Sequence, residues 1–167
     1  TDQIAEIFIA GVPDDHKSFQ KLITDVLEVA KKLDDQEGIG WANYNLAKFE
    51  IGINSGYSKA LPLLLEAASF FNDANNKFGV SQCYMQMGVI SYVSEYYEDA
   101  IKNFEMSLSY FDNPTSIYLM AISYSELNNL VKSKTLFHSA IKKFNDLERS
   151  KSLNECYLYL GRLYVQE

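Results

Sequence analysis

The chain of 167 residues contains few of the residues that interrupt helices or build disulfide frameworks. It has 3 prolines, 8 glycines and 2 cysteines. So little proline and glycine disfavours a loop-rich sandwich of strands and favours helices. Cys83 and Cys156 each stand directly before a tyrosine within an apolar helical stripe, a setting typical of buried free thiols. We therefore expect no disulfide, and with it a cytoplasmic location.

Long apolar runs and an excess of positive charge are also missing. No apolar run approaches the roughly 20 residues that cross a bilayer, and no charged start followed by an apolar block marks a signal peptide. The net charge of −7 opposes the neutralisation of phosphates from which nucleic-acid binding begins. We expect neither a membrane nor a direct nucleic-acid partner. The chain begins with Thr1 and stops at Glu167 inside a helical pattern, which suggests a fragment of a longer protein.

The sequence contains no familiar catalytic motif. It has no glycine-rich phosphate loop, no Gly-x-Ser-x-Gly and no His-Glu-x-x-His. Asp14, Asp15 and His16 could suggest a metal site, but successive helical residues diverge by about 100°, so helix capping is the preferred interpretation. His138 has no carboxylate or cysteine at helical spacing to complete a metal site. We expect no catalytic residue, no cofactor and no metal, and predict that the protein is not an enzyme.

What the sequence does contain is a helical period marked by small residues. In "MGVISYVSEYYEDAIKNFEMSLSYF" two helical stripes flank a polar break. A glycine inside a helix costs about 1 kcal/mol relative to alanine, which is tolerable where a second helix must approach closely. The stretch therefore predicts an antiparallel helical hairpin with small residues at its crossing. The two stripes are Tyr84, Met87, Gly88 and Ser91, then Ala100, Phe104, Ser107 and Leu108.

The hairpin recurs along the chain. Copies lie near 37–75, 76–113 and 114–147, and an incomplete one near 151–167. Their spacing is unequal although their internal pattern is kept, which predicts hairpins of fixed anatomy joined by linkers of differing length. The small residues expected at close helix–helix contacts are Gly88 and Ala121, and Ala47 and Gly161 hold the corresponding positions in the first and fourth copies.

This anatomy resembles the tetratricopeptide repeat (TPR) family over about 37–167. The second copy is similar throughout, the third departs conservatively, the first has Glu50 in place of the usual tyrosine, and the fourth ends before its return helix. The first copy, around "DDQEGIGWANYNLA", is also similar to TPR regions of bacterial sensory and regulatory proteins. The resemblance implies an all-α, right-handed superhelical stack of helical hairpins, an α-solenoid. The residues that carry it are Tyr84, Met87, Gly88, Ala100 and Phe104; Met120, Ala121, Tyr124, Ser133, Phe137 and Ala140; and Tyr157, Leu160, Gly161 and Tyr164.

The segment 1–36 is predicted to be a leading degenerate hairpin or cap. Its first helix, in "TDQIAEIFIAG", ends at the breaker Gly11-Val12-Pro13. Its second begins at paired aspartates and ends with Lys31 and Lys32, which suit a helix carboxyl end. Nine helices and no strands are expected in all. The second helix should bury a stripe of Phe19, Leu22, Ile23, Val26, Leu27 and Ala30.

The resemblance further implies a concave groove, lined by the first helix of each hairpin, that binds a protein or peptide segment. We expect Tyr44, Met85, Tyr92 and Tyr118 to be partly exposed there; the alternative is that such residues cover neighbouring helices or are covered by helices of the full protein. The positions that bind acidic chaperone tails in one TPR subtype do not match here, so that role is disfavoured. The candidate groove residues are Trp41, Tyr44, Asn45, Lys48, Gln82, Met85, Val89, Tyr92, Tyr118, Ile122, Glu155, Leu158 and Arg162.

Two compatible functions follow. The first is a non-catalytic scaffold that binds a protein or peptide segment in this groove. The alternative is a regulatory or sensor module of a larger bacterial signalling protein, whose cyclase, kinase or transcription-regulator domain lies outside the sequence. The unpaired last helix is expected to self-associate with another copy of the chain or to fray, because it exposes apolar surface.

Overall fold

The computed structural model describes residues 16–54 and 56–165, and within these ranges the protein consists of helices and contains no strand. The all-α class is thereby confirmed for the described residues. Eight helices follow one another along the chain, separated by short connections. They are α1 (His16–Lys32), α2 (Gln36–Asn54), α3 (Tyr57–Asp73), α4 (Lys77–Val93), α5 (Tyr97–Tyr110), α6 (Pro114–Glu126), α7 (Leu130–Asp146) and α8 (Ser150–Val165).

The predicted total of nine helices included one that falls outside the described residues, in the segment before His16. The described part therefore has eight helices where the full prediction had nine. None of these eight is long and apolar enough to cross a membrane.

The residues form two compact units, one ending at Met87 and the other beginning at Gly88, so that the division falls within α4. In unit 1, α2 packs against both α1 and α3. Its core holds fully buried side chains from these helices, among them Ala47, Leu64 and Phe71. In unit 2, α6 packs against α5 and α7, and α8 packs against α7 and touches α6. Phe104 and Phe137 are fully buried there.

Close approach between helices takes place at small residues, as the sequence predicted for two of them. A Cβ atom on Gly88 would lie only 2.5 Å from Cε1 of Phe104, far inside the 3.5–4.0 Å of an ordinary carbon contact. Ala121 is fully buried, and its carbonyl oxygen accepts a hydrogen bond of 2.8 Å from the Ser133 hydroxyl. Both predicted contacts are confirmed.

Unit 1 also has a close contact at small residues, and the sequence pattern did not predict it. The ring of Phe71 lies against two glycines, because a Cβ on Gly40 would be 2.8 Å from its Cδ1 and a Cβ on Gly79 would be 2.5 Å from the same atom. Phe71 is completely buried. These glycines bring α2 and α4 against the same ring of α3.

Five of the connections use the same left-handed cap. At Asn75, for example, the backbone has φ 55°. Its N–H donates to the Asn72 carbonyl at 2.9 Å, while the Asn76 N–H donates to the Phe71 carbonyl at 2.8 Å. The Asn76 side chain then accepts from the Gly79 N–H at 2.8 Å and so caps the next helix. The five left-handed residues, none of them glycine, are Asp34, Asn75, Glu95, Asn128 and Glu148.

Helix α1 buries a narrower stripe than the sequence predicted. Ile23 and Ala30 are buried, but Leu22 and Val26 are exposed, so their assignment to the buried stripe is wrong. Helix α1 packs against α2, and one neighbouring helix covers only a narrow strip of an amphipathic helix.

Candidate binding faces

Several predicted groove residues are buried. Tyr44, Met85, Tyr92 and Tyr118 each expose 9% or less of their surface, so the expectation that they are partly exposed is wrong. Val89 and Ile122 are buried as well. For Tyr118 the physical reason is visible in unit 2, where the first helices α6 and α8 touch each other and its ring fills the space between them. Residues that lie to one side of the hairpin stripe on a first helix can therefore pack against the next first helix.

The remaining predicted groove residues are accessible to differing degrees. Leu158 and Arg162 are exposed. Half-buried side chains make up the rest of the set, namely Trp41, Asn45, Lys48, Gln82 and Glu155.

In unit 1, Trp41 is the centre of an aromatic cluster. Its ring meets Phe71 edge-on with centroids 4.7 Å apart, and its indole N–H donates to Glu37 Oε1 at 3.3 Å. The Asn76 amide donates to the same carboxylate oxygen at 2.7 Å. Asn45 donates to the Trp41 carbonyl at 2.8 Å. Trp41 thus contributes to packing as well as to the accessible surface.

Unit 1 also has a polar contact inside its core. The Gln86 amide N–H donates to the Tyr44 hydroxyl at 3.3 Å, and burial raises the pKa of Tyr44 to about 12. Within the described residues, Gln86 Oε1 and Asn43 Nδ2 are buried without a hydrogen-bond partner. A buried polar atom left unsatisfied costs about 1–3 kcal/mol.

In unit 2, tyrosines and charged residues from α4, α6 and α8 come together. The Tyr92 hydroxyl donates to Glu126 Oε1 at 3.2 Å. Tyr118 meets Tyr159 edge-on at a centroid distance of 5.9 Å, and the Arg162 guanidinium lies 5.6 Å from the Tyr159 ring centroid. We call this set the tyrosine face; it consists of Tyr92, Tyr118, Glu126, Glu155, Tyr159 and Arg162.

Two rings of the tyrosine face pack against a buried aromatic side chain. Tyr159 stacks on the fully buried Phe137, with centroids 5.8 Å apart and an angle of 16° between the ring planes. Tyr118 also contacts the Phe137 ring, edge-on at 6.0 Å. Aromatic contacts of this kind stabilise by about 0.5–1.5 kcal/mol beyond the area they bury. The rings are therefore fixed by the core, and the polar groups stand above them.

The hydroxyl groups of this face stay protonated at neutral pH. Burial raises the pKa of Tyr92, and the negative charge of Glu126 raises it further. Burial is also the main cause that raises the pKa of Tyr118, and the neighbouring Tyr159 raises that pKa further. Burial also raises the pKa of Tyr159, against the opposing effect of Arg162. The face therefore combines neutral hydroxyls with carboxylates and a guanidinium.

Sequence reasoning missed Glu126 and Tyr159, although one of them carried a usable signal. Tyr159 lies four residues after Glu155 and three before Arg162. Residues three and four apart share a helix face, so the two predicted residues already defined its position. Glu126 is the last residue of α6, beyond the stretch in which the repeat pattern placed groove positions.

The two cysteines and His138 lie within the described residues. No group of three or more His, Cys, Asp or Glu side chains among them could hold a metal ion. Cys83 and Cys156 are buried free thiols, as predicted, and burial raises the pKa of each to about 12, which keeps them from acting as thiolate nucleophiles at neutral pH. His138 is exposed on α7. Asp14 and Asp15 lie outside the described residues, as does the side chain of His16.

No family model matches this chain, and no curated protein matches it.

Proposed function

We propose that this chain is a non-catalytic scaffold that binds a protein or peptide segment, and that the tyrosine face of unit 2 is one contact surface. The observation that carries the proposal is the convergence of α4, α6 and α8, the first helices of three successive hairpins, on one set of aromatic and charged side chains. First helices that line one side are characteristic of stacked helical hairpins. This arrangement supports the TPR-like superhelical stack that the sequence predicts.

The chemistry of the face suits a polypeptide ligand. Tyrosine and arginine are enriched in protein interfaces, and aromatic rings held by a core lose little conformational entropy on binding. Glu126, Glu155 and Arg162 all act electrostatically on Tyr159, so a bound segment can pair charges of either sign there. In unit 1 the half-buried Lys48 and Gln82 offer a further surface for the same kind of ligand.

The proposal is tested with a display library of random peptides selected against the wild-type chain. Recovered peptides are then measured by fluorescence anisotropy against Glu155→Lys and Tyr159→Phe, with Glu105→Lys as the matched control. Glu105 is exposed on α5, the second helix of its hairpin. We expect the two face variants to bind about tenfold more weakly, equivalent to about 1.4 kcal/mol, and the control to bind as the wild type does.

The proposal fails if the library yields no peptide above background. It also fails if the recovered peptides bind all three variants with wild-type affinity, because the contact surface then lies elsewhere.

A further inference from the structure

Helix α8 has an apolar side that no described part of the chain covers. A concavity lies along it, lined by Tyr157, Leu158, Gly161, Arg162 and Val165, and we call these five residues the Gly161 face. Leu158 is 50% exposed and Val165 87%. Arg162 borders the tyrosine face on one side and the Gly161 face on the other.

Gly161 holds the same position in its helix as Gly88, but the space beside Gly88 is filled and the space beside Gly161 is open. Gly88 follows Asn76, the residue before α4, by the same number of positions as Gly161 follows Arg149, the residue before α8. A Cβ on Gly88 would collide with the Phe104 ring, whereas no atom of the described residues lies within 4 Å of a Cβ on Gly161. The space that a phenylalanine fills beside Gly88 is open beside Gly161.

The complete hairpins show which kind of helix fills such a position. The second helices α3, α5 and α7 share one pattern, in which a small residue is followed four residues later by a large apolar one and three residues after that by another small one. All nine side chains are fully buried. They are Ala60, Leu64 and Ala67; Ala100, Phe104 and Ser107; and Ser133, Phe137 and Ala140.

The charged residues around the Gly161 face favour a partner helix of this pattern with a particular net charge. Lys151 and Arg162 are exposed on the same side of α8, about three turns apart, while Glu155 is half-buried. An exposed basic border favours an acidic partner through electrostatic complementarity. Of the two second helices that carry a phenylalanine at the central position of this pattern, α5 is acidic and α7 is basic.

We propose that the Gly161 face binds an acidic amphipathic helix of a partner protein, with a phenylalanine side chain seated on Gly161 and a small residue on either side of it. This is helix-in-groove recognition, and it uses a surface that shares only Arg162 with the tyrosine face. The proposal does not depend on what the tyrosine face binds.

The test uses a synthetic peptide of residues 96–111, which carries the α5 pattern, and measures its binding to the whole chain by fluorescence anisotropy. The peptide with Phe104→Ala and the basic peptide of residues 129–147 serve as comparisons. We expect both to bind at least about tenfold more weakly than the first peptide, since a buried aromatic anchor dominates the affinity of such contacts.

The decisive variant is Gly161→Ala in the whole chain. Its added methyl group enters open space in the free protein, so the melting temperature should stay the same or rise. The same methyl group takes the place of the phenylalanine ring, so peptide binding should weaken at least about tenfold. Tyr159→Phe is the control and should leave peptide binding unchanged.

Four results would overturn the proposal. The first is absence of binding by the peptide, and the second is equal binding to wild type and Gly161→Ala, which would indicate that the peptide exchanges with α5 itself. The third is a wild-type dimer in sedimentation that Gly161→Ala converts to monomers, because a second copy would then be the occupant. The fourth is loss of peptide binding in Tyr159→Phe, which would assign the peptide to the tyrosine face.

Discussion

Replacing Gly88 by alanine should destabilise unit 2, although alanine is the better helix former. Gly88 lies inside α4, where the change to alanine gains about 1 kcal/mol of helix propensity. Against this, the new Cβ would lie 2.5 Å from Cε1 and 2.7 Å from Cδ1 of Phe104. The ring must therefore move by roughly 1 Å to restore an ordinary carbon contact of about 3.5–4.0 Å.

The ring has little room in which to move. Phe104 is 0% exposed, and adding atoms to a well-packed core costs about 1–3 kcal/mol. After the helix gain is subtracted, we expect Gly88→Ala to lower the free energy of unfolding by about 1 kcal/mol. Gly88→Leu, whose side chain has three further carbons, should lower it by about 3 kcal/mol or more.

Gly161→Ala is the matched comparison, because it makes the same chemical change in the same register of a first helix. With no atom of the described residues within 4 Å of its Cβ, it should raise the free energy of unfolding by up to about 1 kcal/mol. Urea denaturation followed by circular dichroism measures all three variants. If Gly88→Ala proves as stable as Gly161→Ala, the register of α4 against α5 is wrong.

Two further predictions concern a turn and the buried thiols. Glu95 has φ 65°, so Glu95→Gly should raise the free energy of unfolding by about 0.5–1 kcal/mol in urea denaturation. Glu98→Gly makes the same change in the first turn of α5 and should lower the free energy of unfolding. A destabilised Glu95→Gly variant would contradict the left-handed cap. Burial raises the pKa of Cys83 and Cys156 from 9.0 to about 12, so the folded chain holds these protons more tightly and the free energy of unfolding should fall as pH rises from about 9 to about 12. The double variant with alanine at both positions should lose part of that slope in denaturation measured across this pH range, and an unchanged slope would contradict buried thiols.

The helices and two of their contacts could be predicted from the sequence by itself. Scarce proline and glycine together with apolar residues three and four apart determine helices locally, because each helix closes its hydrogen bonds within its own segment. Gly88 could be placed at a helix contact because a glycine inside a helix is a local cost that only a close neighbour offsets. The left-handed backbone of Asp34 and Glu95 was not predicted from the sequence.

Only the tertiary structure decided which side chains are covered. The helical period places Tyr92 and Tyr118 away from the hairpin stripe, but it contains no information on whether a further helix lies over them, and both are buried. Gly88 and Gly161 stand in the same local pattern of sequence, yet one touches a phenylalanine and the other faces open space. Local sequence determines the conformation of each helix, whereas the burial of its faces depends on contacts between residues far apart in the chain.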